Sequence, residues 1–457
     1  MLLHRVSTSR LAAGSALVAA GLVLLLSPLP GGESKALALS LAALGLWATG
    51  AIPEYITALA FFTLAMLFKV AAPGVVFSGF ESAALWLIFG GLVVGVAVKN
   101  TGLGHRLANR LAGAFGSSYW GVITGVTLVG TALGFLMPSS MGRVILLMPI
   151  ALSLAARYGF APGSKGHTGI ILAAAFSCHV GTFAILPANV PNVVLIGAAE
   201  TAYHYSPSYG TYLLLHFPVL GLLKTATMIP LIVWLWPDRP QPLAAVATNP
   251  MQPDERRLAF LLTVALAMWA TDSLHHISPA WVSMASAVVL LLPGIGLVGP
   301  KAFGEQINYG SVFYVAGIMG LGALVDKSGL GTRLASAILG VLPLAPGAPM
   351  TNFASLSTVG TLIGLATTLP GVPAVLTPLA AQMAHASGLP LPTVIMSQVL
   401  GFSTPLLPYE SAPLVVAMQL GGERMRSAQT LCLLLAAIAL LVLLPLDFLW
   451  WRLLGWI

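Results

Sequence analysis

Charged residues are scarce in this sequence: they make up 7% of its 457 residues, whereas 58% are hydrophobic. A soluble domain needs about a quarter of its residues charged to cover its surface, so this composition excludes a soluble protein. Apolar stretches recur along the chain, and many reach the ~20 residues with which a helix crosses a bilayer. The composition therefore predicts an all-α polytopic protein embedded in the lipid bilayer.

Cysteine is almost absent. Cys178 and Cys432 lie far apart within apolar segments, so we expect neither a disulfide nor a metal site. The net charge of +7 does not indicate a nucleic-acid partner, because the basic residues are scattered between apolar segments. The cytoplasmic loops of a membrane protein have this distribution.

Glycine and proline are abundant, with 48 and 32 residues. In lipid, a broken helix survives only where protein or a water-filled cavity satisfies the freed backbone groups. We therefore expect interrupted or re-entrant segments.

At the N-terminus, Arg5 and Arg10 precede an apolar run and resemble a secretory signal. A polytopic chain needs no removed leader, so we expect an uncleaved N-terminal span over residues 1–35.

Apolar runs bounded by proline, glycine and charge predict eleven crossings and two re-entrant hairpins. The hairpins, at about 119–157 and 349–387, are interrupted near their middle by proline and small polar residues. An unbroken helix of that length would overshoot the bilayer, whereas two half-depth helices meeting at a tip would fit. The predicted crossings are 11–28, 36–50, 53–71, 82–99, 168–200, 210–236, 258–274, 279–299, 308–326, 391–420 and 427–455.

An internal repeat is the strongest signal in the sequence. The segment 85–108, which ends in Gly-Leu-Gly-His-Arg-Leu-Ala, has a counterpart 227 positions later, at 312–335. Trp47-Ala48-Thr49 likewise matches Trp269-Ala270-Thr271. The repeat divides the chain into a first half (36–236), a polar cytoplasmic linker (237–257) and a second half (258–457).

Each half holds five crossings, an odd number, so the second half must enter the membrane from the opposite side. With a cytoplasmic N-terminus, the inner loops collect thirteen lysines and arginines and the outer side five, in agreement with the positive-inside rule. Two inverted five-span repeats with broken helices are typical of secondary transporters, whose substrates bind near the midplane. We therefore expect a transporter in the plasma membrane, the inner membrane of a bacterium.

Several motifs resemble the divalent anion/sodium symporter (DASS) family, over about residues 40–425. They are Phe77-Ser78-Gly79-Phe80, the segments 51–59, 85–90 and 99–104, and the segment 269–280 that opens the second half. The resemblance implies an elevator-type homodimer with a scaffold domain and a mobile transport domain. It also implies di- or tricarboxylates, or sulfate, as the anionic substrate.

The resemblance places the family's chemistry at the two hairpin tips and at a break in the span after each hairpin. Counting back from prolines in the return arms puts the tips at Ser139-Ser140-Met141 and Thr368-Leu369-Pro370. The breaks then fall at 189–192 and 411–414. Both tips lack the asparagine of the family's Ser-Asn-Thr triplet. Coupling to sodium, coupling to protons and exchange therefore stay open, with Na⁺ near Ser139 and Asn189 as one possibility.

Arg143 follows the first tip within an apolar arm. An ionised arginine inside a membrane normally faces a cavity or a partner, and its planar fork suits carboxylate or sulfate. We hypothesise that Arg143 binds the anion; the alternative is an ion pair with Glu410.

Glu410 itself is a candidate for proton coupling, because a carboxyl group in a partly desolvated cavity holds its proton more readily. His179 can likewise titrate near neutral pH, or serve as a packing residue.

Amide and hydroxyl groups complete the predicted site. Asn189 and Asn192 fall where the fifth span should break, and the positive N-terminus of the continuing half-helix attracts anions. The alternative for each hydroxyl is a hydrogen bond to its own helix. The predicted substrate-binding residues are Ser139, Ser140, Met141, Arg143, Asn189, Thr368 and Ser411, with Glu410, Asn192 and His179 as coupling candidates.

The chain lacks a His-Glu-x-x-His pair and a nucleophile–base constellation, so we do not expect an enzyme. The sequence predicts a secondary active transporter of small anions with an elevator mechanism, coupled to sodium or protons. An anion exchanger without cation coupling, a cation/proton antiporter of the same superfamily and a channel are the alternatives.

Overall fold

The structure is a computed structural model, which describes residues 8–26, 29, 31–49, 51–104, 106, 118–137, 139–241, 250–294, 296–330, 333, 337 and 340–457. Within these ranges the regular structure is entirely helical, and strands are absent. The predicted all-α fold is therefore confirmed.

The first half consists of helices joined by short connections. The last two of its helices form one continuous rod, because a π-helical turn at Phe217–Leu223 joins them. The helices up to residue 241 are α1 (Thr8–Leu26), α2 (Gly31–Thr49), α3 (Glu54–Leu67), α4 (Pro73–Val76), α5 (Ala83–Thr101), α6 (Tyr119–Leu136), α7 (Ser140–Arg157), α8 (Lys165–Ser177), α9 (Val190–Tyr203), α10 (Tyr209–His216) and α11 (Lys224–Leu235).

The second half repeats this order. Its last two helices are again joined by a π-helical turn, at Ala439–Leu443. The helices are α12 (Pro253–Ala270), α13 (Asp272–His275), α14 (Pro279–Leu291), α15 (Pro300–Gln306), α16 (Tyr309–Lys327), α17 (Pro349–Thr367), α18 (Gly371–Leu376), α19 (Ala380–Ser387), α20 (Leu391–Phe402), α21 (Ala412–Leu420), α22 (Met425–Ile438) and α23 (Leu444–Leu453).

Five helical segments in the described ranges are long and apolar enough to cross a membrane, and the bent pair α15–α16 makes a sixth. Five shorter apolar helices accompany them. The total of eleven crossings stays a prediction. Both arms of the first hairpin, α6 and α7, have 18 residues and belong to the long group. Their length therefore does not require the half-depth arms expected from the sequence.

Helix pairs occupy both predicted hairpins. The first chain reversal lies between Leu136 and Ser140, where the hydroxyl of Ser139 accepts a hydrogen bond from the amide of Gly142 (3.1 Å) and caps α7. The second reversal begins at Thr368, whose φ of 74° ends α17. The tips thus lie where the local sequence ends one helix and starts another.

The two broken spans start to break earlier than the sequence predicts. α8 ends at Ser177 and α20 at Phe402, whereas the predicted breaks were 189–192 and 411–414. Those tetrapeptides mark the restart instead, because Pro191 and Pro413 lie at the first positions of α9 and α21, where proline is favoured. We refer to residues 178–189 as the first break and to residues 403–411 as the second break.

The halves pack on each other reciprocally. α5 of the first half lies against α14 of the second, and α16 of the second lies against α3 of the first. Glycines allow both close approaches: a Cβ on Gly90 would lie 2.5 Å from the hydroxyl oxygen of Ser283, and one on Gly317 would lie 2.7 Å from the Cβ of Ala58. Each half thus offers its partner an equivalent surface, as a two-fold relation requires.

Two ion pairs follow the same relation. Arg106 in the first half binds Glu255 at the start of α12, just before the second half, with its Nε (2.9 and 3.0 Å) and its Nη2 (2.8 Å). Arg333, the repeat equivalent of Arg106, donates from Nε to Glu33 at the start of α2, just before the first half (2.5 Å). The arginine of the repeated Gly-Leu-Gly-x-Arg motif therefore binds a glutamate at the start of the first helix of the opposite part of the chain. The membrane orientation of each half stays a prediction.

Candidate substrate and coupling site

The first broken helix is deeply enclosed in the protein. Every residue of α8 from Gly166 to Ser177 is buried, and the helix packs against α6, α7 and α21. Because α8 ends here and α9 starts only at Val190, carbonyl groups along the first break lack helical partners. Buried carbonyls without donors are destabilising, so donors must come from elsewhere.

Arg143 supplies those donors. Its side chain is fully buried, and Nε and Nη2 both donate to the carbonyl oxygen of Cys178 (3.1 and 2.7 Å). Nη1 donates to the carbonyl of Ala188 (2.9 Å) and to that of Met137 at the first tip. The guanidinium therefore ties the hairpin tip to both ends of the first break.

Polar side chains complete this cluster. Nη2 of Arg143 also contacts the hydroxyl of Thr182 (3.0 Å) and Oδ1 of Asn189 (3.2 Å). Ser140 donates to the same Oδ1, and Nδ2 of Asn189 donates to the Thr182 hydroxyl (3.0 Å). The structure thus brings together Ser140, Arg143 and Asn189, three predicted substrate residues, but most of their polar atoms are bonded to protein.

The alternative partner for Arg143, the carboxylate of Glu410, is elsewhere. Oε1 of Glu410 accepts hydrogen bonds from the amides of Leu406 (2.9 Å) and Leu407 (2.7 Å) in its own loop. Its Oε2 is buried and has no hydrogen-bond partner within the described ranges. The ion pair considered from the sequence is therefore not formed, because each residue binds the break of its own half.

Sequence reasoning missed a second buried cation, Lys224 at the start of α11. Its ammonium donates to the carbonyl oxygen of Ser403 (2.5 Å), the hydroxyl of Ser403 (3.3 Å) and the hydroxyl of Thr404 (3.2 Å). Ser403 follows the last residue of α20, where the helix dipole is negative. A lysine inside an apolar run was the available signal, but its partners lie in the other half.

The two breaks thus share one arrangement. In each, the carbonyl at the C-terminal end of a broken helix is bound by a buried protein cation, Arg143 at Cys178 and Lys224 at Ser403. The last residue of α20, just before the second break, packs on the first break, because the rings of Phe402 and Phe183 have their centroids 5.8 Å apart. Two positive charges are therefore held near the interface of the two halves.

Three other predicted substrate residues lie at helix starts. Ser139 caps α7, and Ser411 caps α21 by accepting from the amide of Leu414 (3.4 Å). As each hydroxyl accepts a bond, its own hydrogen is available to an anion. Met141 is partly buried and has no such donor. The second tip is hydrogen-bonded to the second break, because the amide of Leu369 donates to the carbonyl of Glu410 (3.1 Å).

The remaining coupling candidates differ in their surroundings. Asn192 donates from Nδ2 to the carbonyls of Phe183 (3.0 Å) and Ile185 (2.8 Å), so it supports the first break. His179 is buried beside Phe183, with ring centroids 4.6 Å apart, and neither ring nitrogen has a hydrogen-bond partner. These absences hold for the described part of the chain, and burial near Arg143 and Lys224 disfavours a further positive charge on this imidazole, so its surroundings do not support a role in proton coupling.

Thr368 at the second tip is strained. Its backbone, with φ 74° and ψ 165°, lies in a region that only glycine adopts readily. We expect Thr368→Gly to leave the stability unchanged within about 1 kcal/mol, because the released strain offsets the entropic penalty of glycine and the lost interaction of the threonine hydroxyl with Tyr314. The measurement is thermal unfolding in detergent. The matched control, Thr367→Gly in helical backbone, should lower stability; equal destabilisation by both variants would contradict the strain.

A protein family, several individual proteins and a solved structure resemble this chain. The family model described as "Sodium:sulfate symporter transmembrane region" matches residues 8–457. A membrane protein of Cupriavidus necator is 25% identical over 400 residues, covering 84% of this chain and 78% of that protein. An uncharacterized transporter of Haemophilus influenzae is 23% identical over 402 residues, covering 84% and 83%.

A relative with a named activity is the L-tartrate/succinate antiporter of Escherichia coli, 26% identical over 289 residues, which cover 58% of each chain. Among solved structures, the Alcanivorax borkumensis YdaH transporter matches with a TM-score of 0.57 and 15% identity over 93% of this chain and 99% of that one. This likeness shows a shared fold. Because the family model spans nearly the whole sequence, the chain belongs to the sodium:sulfate symporter family, the DASS family that its motifs resemble.

Proposed function

We propose that this protein exchanges dicarboxylate anions across the membrane and does not need sodium at its two breaks. The observation that carries the proposal is the occupation of both breaks by protein cations. Carbonyl and hydroxyl oxygens are the ligands that sodium and other hard cations use. Here Arg143 and Lys224 already bind those oxygens.

Fixed cations favour exchange for an electrostatic reason. A buried charge is expensive to move through the membrane unless a counter-charge accompanies it. A bound sodium ion can leave with the substrate, whereas a guanidinium or an ammonium cannot. The binding site would therefore reorient readily only when an anion neutralises it, and each inward step requires an outward step with another anion.

The proposed anion site lies where helix N-termini face the breaks. The half-helices α7, α9 and α21 begin at Ser140, Val190 and Ala412, and the hydroxyls of Ser139 and Ser411 stand at two of these starts. Helix N-termini attract carboxylates. Donors in both halves suit an anion with a carboxylate at each end, and the relative named as an L-tartrate/succinate antiporter fits this class.

In the proposed cycle, the hairpins and broken helices move together against the packed helices α3, α5, α14 and α16. This is an elevator movement, performed by a homodimer in the bacterial inner membrane. The reciprocal packing of those four helices, with glycines at the close approaches, supports their assignment to the stationary part.

Exchange in proteoliposomes tests the proposal. We expect vesicles loaded with succinate to take up radiolabelled succinate, and empty vesicles to take up almost none. Replacing sodium by choline on both sides should leave the rate unchanged. L-Tartrate, citrate and sulfate, added outside as competitors, define the substrate class. Uptake into empty vesicles driven by a sodium gradient would refute sodium-free exchange and support the symport expected from the sequence.

A further inference from the structure

The two π-helical turns stand at equivalent places in the two halves. The turn at Phe217–Leu223 precedes α11, the turn at Ala439–Leu443 precedes α23, and the two turns touch each other. α23 also contacts the first turn directly. π-Helical turns are rare and often occur at functional sites. Two such turns at equivalent places, in contact with each other, therefore mark this region as a candidate functional site.

A buried charged residue follows each turn. Lys224 is the first residue of α11, and Asp447 lies in the first turn of α23. Their exposures are 1% and 0%. The side chains are near enough to interact electrostatically, although no hydrogen bond joins them. The helices after the π-helical turns thus hold an amine and a carboxyl group in the interior of the membrane protein, where ionisable residues are rare and usually functional.

The two residues are bonded unequally. The ammonium of Lys224 has three donors, and it contacts three oxygen atoms of Ser403 and Thr404 at the second break. Both carboxyl oxygens of Asp447 are buried, and neither makes a hydrogen bond of normal length and angle in the described part of the chain. The indole N–H of Trp451, which has no other partner there, is the donor that faces this carboxyl group. An ionised carboxylate in that position is strongly unfavourable. The arrangement seen here therefore suits a neutral, protonated Asp447.

Loss of the proton from Asp447 would change the contacts of Lys224. An ionised Asp447 attracts the ammonium of Lys224, and pairing with it would satisfy both charges. Lys224 would then leave the carbonyl of Ser403 at the second break. A cavity of about 10 Å³ beside Lys224, lined by Ser403, Thr404 and Cys432, borders the ammonium and is at the lower limit for one water molecule.

We propose that Asp447 is a proton-binding site and that its protonation decides whether Lys224 stays bound to the second break. The proton adds to a carboxylate oxygen of Asp447 and leaves again to water, so no other reactant is needed. The site makes exchange depend on pH, and in this respect it rests on the proposed function. Protonation favours the arrangement of the second break seen in this structure.

Other titratable groups surround the pair and must be separated from it. On α10, the rings of Tyr212 and His216 meet edge to face with their centroids 4.5 Å apart, and neither nitrogen of His216 has a hydrogen-bond partner among the described residues. Cys432 on α22 lines the cavity. His179 and Glu410 belong to the first and second breaks, and both interact with this region electrostatically. Of the described carboxyl groups, Asp447 is the one that α23 brings to the π-helical turns.

The first test measures succinate exchange in proteoliposomes against pH. We expect the wild type to change its rate with the slope of a single proton, tenfold per pH unit at most. Asp447→Asn, which imitates the protonated form, should exchange at a rate that no longer depends on pH. Asp254→Asn, a substitution of the same kind at an exposed site, should keep the wild-type profile. A pH profile that survives in Asp447→Asn, or a wild type without one, would overturn the proposal.

The second test does not depend on transport. Infrared difference spectra between acid and alkaline samples should contain the C=O stretching band of a protonated buried carboxyl group. The band should disappear in Asp447→Asn and persist in Glu410→Gln and His216→Gln. A band that persists in Asp447→Asn would refute the site. A band without succinate exchange would leave the proton site standing and refute the proposed function.

Discussion

Arg143→Ala is expected to abolish exchange and to lower the free energy of unfolding by about 3 kcal/mol or more. The substitution leaves the carbonyls of Cys178, Ala188 and Met137 without the donors that the guanidinium provides. Each buried acceptor that loses its partner destabilises the fold by roughly 1–3 kcal/mol. The measurements are succinate exchange in proteoliposomes and thermal unfolding in detergent.

Added guanidinium ion is expected to restore part of the exchange by Arg143→Ala, because the vacated space is lined by oxygens that bind a planar cation. Arg157→Ala provides the matched control, since Arg157 is exposed at the end of the same helix. It should leave both exchange and stability unchanged. If Arg143 bound the anion directly, its loss would raise the KM and leave the stability intact, which would contradict the role in the first break.

Gly79→Ala is expected to prevent the two halves from packing. A Cβ at Gly79 would lie 2.4, 2.8 and 2.9 Å from the carbonyl oxygen, Cα and carbonyl carbon of Ala316 in the other half. All three are backbone atoms, so no side-chain rotation relieves the clash. Overpacking of this kind destabilises a core by about 1–3 kcal/mol, and sometimes by more. Size-exclusion chromatography and thermal unfolding in detergent measure the loss.

Gly74→Ala is the control for this steric argument. Gly74 lies in the short helix just before Gly79, and a Cβ there would meet no atom within 4 Å. Helical backbone also favours alanine over glycine, so this variant should be as stable as the wild type or slightly more stable. Equal behaviour of the two variants would show that the halves do not approach each other as closely as the structure describes.

The positions of the hairpins could be predicted because their signals are local. In the second hairpin, Thr368 ends α17 and Pro370 precedes α18. In the first hairpin, Ser139 caps α7 by binding an amide three residues away. Proline at the first helical positions likewise revealed where α9 and α21 begin. The beginnings of the breaks carry no such signal. At Cys178 and Ser403 the carbonyls are bonded by side chains from other elements, Arg143 and Lys224.

The site residues also differ in whether a local signal or a distant contact identifies them. Arg143 was recognisable as an arginine inside an apolar arm, but its partners were not, because they come from a hairpin tip and from both ends of a break. Lys224 and Asp447 were not assigned to the site from the sequence, since the contacts of Lys224 lie 179 and 180 residues away. A pair between Glu410 and Arg143 was one of the alternatives considered from the sequence, whereas the carboxylate of Glu410 binds amides three and four residues before it.

By itself, the sequence determined that this protein is helical and embedded in a membrane, that its two halves are related, where its hairpins turn and to which family it belongs. Apolar run length, repeated motifs, proline and capping residues act over a few turns of helix, so they can be read along the chain. The tertiary structure alone decided which cation binds which carbonyl, because buried charges take partners according to space and not sequence separation. It also reveals that the scarce charges noted at the outset include the two cations that hold the breaks.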